Sequence, residues 1–274
     1  MSRASAMGSD TATNNPTTLD YEALDRDGFA VLPGLVGAED LARFECDIAL
    51  LGARFAKQRG LDPDADEPLT EVLRAAGRHR SMMFDHIKRL YVIERLAGDI
   101  GRQLEALGLF RHAAIEVPIL WPTLRADLPG EDLYGFPLHQ DYVTTRCRTA
   151  WRLWIPLRDV DEHFGTLQIA VGSHRGGPYC YVTENTDYPH IDDAELARHG
   201  LELRSFALPA GNAVLFDPRL IHGSVTNRSA RTKYVMLLHL QDMANFVDPS
   251  DLDDPLQPFL ALSENHAAVS RRRR

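Results

Sequence analysis

Leu138-His139-Gln140-Asp141 is the stretch of sequence that decides the fold, and it acts together with Ile221-His222-Gly223-Ser224 further along the chain. His139 and Asp141 stand two residues apart in a segment that looks extended, so we expect their side chains to point to the same side. Two histidines and one carboxylate are the ligands with which proteins hold non-haem iron(II), leaving the opposite face of the metal open. The sequence therefore predicts a metal site, and with it the catalytic centre, at His139, Asp141 and His222.

The pattern of apolar and turn-forming residues around these motifs indicates a β-rich core. Short apolar runs alternate with Pro, Gly, Asp and Asn at residues 113–120, 151–157, 166–171, 203–208, 213–216 and 233–241. This pattern is typical of an all-β sandwich or jelly roll. Earlier in the chain, apolar spacing predicts helices at 20–27, 37–54, 68–75 and 85–107, with a strand at 28–33.

Composition limits the classes of function. The chain has 274 residues, of which 44% are hydrophobic, which is enough for one large domain, and we place it at 19–262. The polar start at 1–18 is predicted to be a disordered leader, and 263–274 a flexible basic tail. A net charge of −9 argues against a nucleic-acid partner. No apolar stretch suits a signal peptide or a membrane partner, and three scattered cysteines favour a reducing cytoplasm.

Two further features leave alternatives open. Arg146, Arg148 and Arg152 cluster after the first metal motif, and Arg125 precedes it. They would either bind an anionic group of the substrate or act as exposed charges on a strand edge. The long segment 176–204, rich in tyrosines and acids, would either be an active-site lid or a surface excursion.

Taken together, the motifs resemble those of the phytanoyl-CoA dioxygenase family of iron(II)/2-oxoglutarate oxygenases. The similar segments are Asp27 to Gly34, Leu138 to Asp141, Trp154 to Asp159, Gly165 to Leu167, Gly172 to His174, Pro209 to Gly211 and Ile221 to Ser224. The resemblance implies a double-stranded β-helix, a cupin-like jelly roll that is mainly β, with the N-terminal helices packed outside. It implies iron(II) held by His139, Asp141 and His222, with 2-oxoglutarate and O2 as co-substrates. Gln140, Trp154 and Ser224 match positions near 2-oxoglutarate.

One position departs from the family pattern. Where the family has an arginine that pairs with the far carboxylate of 2-oxoglutarate, this chain has Lys233, with Arg231 two residues earlier. Residues of the same parity in one strand share a face, so either side chain could make this ion pair. His239 has the same parity as Lys233 and is a further candidate for the pocket.

The expected activity is hydroxylation of a small molecule, with release of succinate and CO2. An anionic substrate from secondary metabolism is one hypothesis, either free or tethered to a carrier protein or coenzyme A. The presence of Asp141 argues against halogenation, since related halogenases leave that position open for chloride. Alternatives are desaturation, cyclisation or epimerisation on the same scaffold, or a non-catalytic jelly-roll binding module. The intact ligand set argues against the last of these.

Overall fold

The fold is taken from a computed structural model of the chain. It describes residues 18–110, 115–116, 124–131, 136–184, 188–248 and 256–263. The predicted leader, apart from Thr18, and residues 264–274 of the predicted tail lie outside the described residues. The predicted strand at 113–120 does so as well, apart from 115–116.

The first part of the chain is helical, as the sequence predicts. The helices are α1 (Tyr21–Asp27), α2 (Ala38–Gln58), α3 (Pro68–Ala75), α4 (Arg80–Ile87), α5 (Tyr91–Ala106) and the later α6 (Asp193–Arg198), and residues 257–263 are also helical. The Asp20 side chain caps α1 by accepting a hydrogen bond from the Ala23 N–H at 2.9 Å. Gly28 ends that helix in the left-handed conformation, with a φ of 85°, and directs the chain into the first strand.

Within the described ranges, ten strands form two sheets. They are β1 (Phe29–Leu32), β2 (Ile115–Glu116), β3 (Leu124–Asp127), β4 (Phe136–His139), β5 (Ala150–Pro156), β6 (Leu167–Ala170), β7 (Leu203–Phe206), β8 (Ala213–Phe216), β9 (His222–Ser224) and β10 (Lys233–Asp242). The larger sheet has the order β1-β8-β5-β10-β2, and β3 pairs with β10 as well. The smaller sheet has the order β4-β9-β6-β7. All these pairings are antiparallel. Two facing antiparallel sheets with helices outside are the predicted jelly-roll core, so the fold class is confirmed.

The central strand β10 separates two apolar layers. Tyr234, Met236, Leu238 and Leu240 belong to the cluster that contains the buried faces of α2 and α5. Val235 belongs to a second cluster, which it forms with residues of β5, β6 and β8. Because side chains alternate along a strand, the face of β10 that carries Val235 also carries Lys233, Leu237 and His239. This face is turned toward the interior between the sheets.

The helix predicted at 85–107 is in fact two helices. The chain leaves α4 after Ile87, and Leu90 is extended (φ −60°, ψ 137°) before α5 begins. The sequence of this break contains neither Pro nor Gly, so it carries no local signal of a boundary. Burial of Ile87 and Val92 in the same core explains the turn, because both sides of the break pack against the sheet.

Candidate metal centre

The two predicted histidine ligands meet across a pair of strands. His139 ends β4, His222 begins β9, and the two residues are direct partners in the antiparallel register. Their ring centroids lie 4.3 Å apart. Nδ1 of His139 contacts the Pro137 carbonyl at 2.8 Å, and Nδ1 of His222 contacts the Leu220 carbonyl at 3.0 Å. A carbonyl only accepts, so each Nδ1 donates, and each Nε2 keeps its lone pair for a metal.

Asp141 reaches the same point by a different route from the one predicted. Its backbone has left the strand (φ −95°, ψ 0°), and its N–H donates to the Pro218 carbonyl at 2.8 Å. Alternation along an extended strand is therefore the wrong reason for its position. Oδ1 of Asp141 lies 3.4 Å from Nε2 of His139, and Oδ2 lies 3.7 Å from Nε2 of His222.

This convergence fits one metal ion. One ligand atom from each of His139, Asp141 and His222 lies within 4.8 Å of the others. Two imidazole nitrogens and one carboxylate oxygen are the donor set of the two-histidine, one-carboxylate iron site. Burial, reinforced by His139, lowers the pKa of His222 to about 4, so this imidazole is neutral. Burial works to raise the pKa of Asp141, but Arg152 and the histidines hold it well below its usual range, so the carboxylate is ionised.

The three ligands border a cavity of about 510 Å³. Its inner wall comes from the strands and includes Trp154, Phe216, Leu237 and the predicted His239. Its outer wall comes from α4, β4 and the segment after β6, and consists of Ser81, Phe84, Asp85, Lys88, Phe136 and Tyr188. Phe136 and Tyr188 are largely exposed, so this end is the mouth.

The residues predicted near 2-oxoglutarate divide into two groups. Trp154 and Ser224 line the cavity. Gln140 does not: its side-chain amide donates to the Arg219 carbonyl and accepts from the Tyr179 N–H at 3.4 Å. The structure therefore uses Gln140 to fix the loop that carries Asp141.

The structure also places Lys233 and Arg231 in different environments. Arg231 lies before β10 begins, is 58% exposed and pairs with Glu67 at 3.1 Å. The assumption that both residues belong to one strand is therefore wrong, and the structure does not bring Arg231 to the cavity. Lys233 is buried on the inward face of β10, where its Nζ lies 2.7 Å from Oδ2 of Asp127 and donates to the Gly165 carbonyl.

Of the four arginines noted in the sequence, two line the cavity. Arg125 bonds Asp127 through Nε at 2.6 Å, donates to Ser224 Oγ at 3.1 Å and lies 4.5 Å above the Phe136 ring. Arg152 is only 2% exposed and bonds Asp141. Arg146 and Arg148 are exposed. The sequence did carry a signal for Arg152, because a charge between Trp151 and Leu153 interrupts an otherwise apolar strand.

The long segment at 176–204 packs directly on the first metal motif. The Tyr181 hydroxyl accepts a hydrogen bond from the Gln140 N–H at 2.7 Å, and the Ile191 N–H donates to the Leu138 carbonyl at 2.8 Å. The segment also contributes Tyr188 to the cavity mouth and contains α6. These contacts place the described part of the segment beside the metal ligands.

Replacing Tyr181 with phenylalanine should lower the free energy of unfolding by about 1 kcal/mol, because the buried Gln140 N–H loses its acceptor. Urea unfolding of the metal-free protein measures this change. Tyr91→Phe, at the start of α5 where the side chain is 76% exposed, is the matched control and should unfold like the wild-type protein. Equal stability of all three proteins would contradict the anchoring role of Tyr181.

Fold and site together define a mononuclear non-haem iron oxygenase built on a double-stranded β-helix. The comparison with family models identifies which one. The model described as "Phytanoyl-CoA dioxygenase (PhyH)" matches residues 24–235, and the chain belongs to this family. It is an iron(II)- and 2-oxoglutarate-dependent dioxygenase, and O2 is its second co-substrate.

Curated relatives agree with this assignment, and a solved structure shares the fold. The ectoine dioxygenase of Nocardia farcinica is 25% identical over 221 residues, covering 74% of this chain and 70% of the relative. The peroxisomal phytanoyl-CoA dioxygenase of Bos taurus is 23% identical over 260 residues, covering 85% and 71%. The epimerase SnoN, solved with Fe3+, alpha ketoglutarate and nogalamycin RO, shares the fold with a TM-score of 0.52 at 15% identity, covering 85% of this chain and 88% of SnoN.

Proposed function

We propose that this protein hydroxylates a small molecule seated in the 510 Å³ cavity, with 2-oxoglutarate lying between the metal ligands and the Ser224–Arg125 pair. The observation that carries the proposal is that one face of strand β9 leads directly from the metal ligands to Ser224, and we call this stretch of the cavity wall the path. His222 and Ser224 are two residues apart in β9, so they face the same side at a spacing of roughly 7 Å. A five-carbon diacid is long enough to place one end at the metal and the other at Ser224.

The net charge near Ser224, at the end of this path away from the metal ligands, is complementary to one carboxylate. Arg125 and Lys233 share a single acid, Asp127, at 2.6 and 2.7 Å. Two cations and one anion leave one net positive charge beside the Ser224 hydroxyl. We therefore assign the distal carboxylate of 2-oxoglutarate to Arg125 and Ser224, with Lys233 behind them neutralising Asp127. A guanidinium offers such a carboxylate a two-pronged hydrogen bond.

The residues of the chain prepare the site for the cofactor. His139, Asp141 and His222 would hold iron(II), which together with 2-oxoglutarate supplies the oxidising power for C–H hydroxylation, with succinate and CO2 as by-products. Trp154, Phe216 and Leu237 line the adjoining wall, where they exclude water from the reacting atoms.

The cavity also indicates the kind of substrate. Its volume lies within the range of roughly 300–1,000 Å³ typical of sites for small molecules. Both inner arginines are already engaged, Arg152 by Asp141 and Arg125 by the Ser224 cluster. An anionic substrate from secondary metabolism would therefore meet Lys88 at the mouth, where it would compete with Asp85, which lies 3.6 Å from the Lys88 Nζ. A carrier-bound or coenzyme A thioester group would also lie at this end, outside the cavity.

None of the three cysteines forms a disulfide bond, which supports a reducing compartment such as the cytoplasm, where iron(II) stays reduced. Among the described residues no helix combines the length and the apolar character needed to cross a membrane.

The proposal is tested by anaerobic titration of the iron(II)-loaded protein with 2-oxoglutarate. We expect a weak visible absorption band that requires both components, followed in air by succinate formation. A screen of small molecules should then give a product heavier by one oxygen atom. Loss of two hydrogens instead would indicate desaturation or ring closure, and unchanged mass with inverted stereochemistry would indicate epimerisation. Absence of both the band and bound iron would revive the binding-module hypothesis.

Replacing Arg125 with methionine should raise the 2-oxoglutarate concentration needed for half-maximal turnover by roughly 10- to 100-fold, the loss expected for one charge-assisted hydrogen bond. Succinate formation at varied 2-oxoglutarate measures this constant. Lys88→Met removes a positive charge from the mouth of the same cavity and is the matched control. An equal 2-oxoglutarate requirement in the two variants would contradict the assignment of Arg125.

A further inference from the structure

Arg152 is a deeply buried cation beside the metal ligands, and the proposed function assigns it no contact with substrate or co-substrate. It lies in the middle of β5 with a side chain 2% exposed, and it is paired across the strands with His239. Burying a guanidinium is costly unless its charge and its donors are satisfied. Its contacts therefore show what it is buried for.

Those contacts converge on one metal ligand. Nε of Arg152 donates to Oδ2 of Asp141 at 2.9 Å, and Nη2 donates to the main-chain carbonyl of the same aspartate at 3.0 Å. Nη2 also donates to Thr144 Oγ1 at 2.8 Å, and that hydroxyl in turn donates to the Asp141 carbonyl at 2.9 Å. One side chain thus fixes the carboxylate, the backbone and the turn that follows it.

We propose that Arg152 is a positioning residue for the metal carboxylate: it occupies Oδ2 of Asp141 and so presents Oδ1 to iron as a single-oxygen ligand. Two consequences follow. A carboxylate committed in this way is kept from chelating the metal with both oxygens, so coordination positions stay open for the co-substrates. The guanidinium also holds the Asp141 carboxylate and the turn that follows it in one arrangement, so the site is already ordered before a metal ion binds.

This inference rests on the proposed iron(II) site, and metal affinity tests it without turnover. We expect Arg152→Met to bind Co(II) or anaerobic Fe(II) about 10- to 100-fold more weakly than the wild-type protein, the usual effect of removing a partner of a metal ligand. Arg152→Lys keeps the positive charge but loses the planar guanidinium with its several N–H donors. Its affinity for the metal should therefore lie between those of Arg152→Met and the wild-type protein. The visible spectrum of bound Co(II) should change in Arg152→Met, because the carboxylate is free to rebind with both oxygens.

Two further variants keep the test decisive. Arg148→Met removes an exposed arginine from the same segment and should bind Co(II) like the wild-type protein. Thr144→Val deletes one support of the guanidinium with little change in volume, so it decides the question if Arg152→Met does not fold. We expect it to weaken Co(II) binding about threefold.

The outcomes separate this inference from the proposed function. A folded Arg152→Met protein with wild-type affinity and an unchanged Co(II) spectrum would overturn the positioning role alone, and Arg152 would then only stabilise the fold. Thr144→Val with wild-type affinity would count against it equally if Arg152→Met is unfolded. A wild-type protein that binds neither metal would overturn the proposed function and the inference together.

Discussion

Replacing His222 with alanine is expected to weaken iron(II) binding by more than about 100-fold, since removal of a direct ligand should cost more than removal of a hydrogen-bond partner of one. His222 is buried at the start of β9, and its Nδ1 donates to the Leu220 carbonyl, which leaves Nε2 to bind the metal. The visible band that requires both iron and 2-oxoglutarate should disappear with the metal. Anaerobic titration with metal analysis of the desalted protein measures both effects.

The matched control is His163→Ala, which removes an exposed histidine that does not border the cavity. It should retain both iron and the band. Asp141→Ala should behave like His222→Ala, although the loss of the Arg152 partner adds a cost in stability. Retention of iron by His222→Ala would contradict the assignment of the three ligands.

Replacing Lys233 with methionine should have two effects. The free energy of unfolding should fall by roughly 1–3 kcal/mol, the cost of leaving a buried polar group without its partner. Here the group is Asp127, which is 2% exposed and keeps only Arg125. The 2-oxoglutarate requirement should rise by roughly 10-fold or more, because Arg125 and Asp127 alone carry no net charge. Urea unfolding and succinate formation at varied 2-oxoglutarate measure the two effects.

Arg231→Met tests the alternative that Arg231, and not Lys233, supports the binding of 2-oxoglutarate. Arg231 is exposed, and its ion pair with Glu67 should contribute no more than about 1 kcal/mol. We expect wild-type stability and a wild-type 2-oxoglutarate requirement. A large rise in that requirement in Arg231→Met, with none in Lys233→Met, would reverse the assignment. Lys233→Arg restores the residue usual in the family and should keep most of the affinity for 2-oxoglutarate.

Much of the fold could be predicted because its signals are local. Helix α3 and strand β8 have the predicted bounds, since Pro68 opens the helix and a Pro-Ala-Gly-Asn turn precedes the strand. Strands β3 and β9 were missed, because Leu-Arg-Ala-Asp and His-Gly-Ser contain too few apolar residues to form the short apolar run that marks the other strands. The break between α4 and α5 was missed because packing on both sides determines it, without a local breaker.

The metal ligands could be predicted from the sequence alone, because residue type and order single out His139, Asp141 and His222. Their surroundings depend on the tertiary structure. It excluded Arg231 by starting β10 at Lys233, and it turned Gln140 toward Arg219. It also brought Arg152 to Asp141 across a turn and Arg125 to Ser224 across the two sheets. These contacts depend on where β10 begins and on how the sheets face each other, and those are properties of long-range packing that no local pattern encodes.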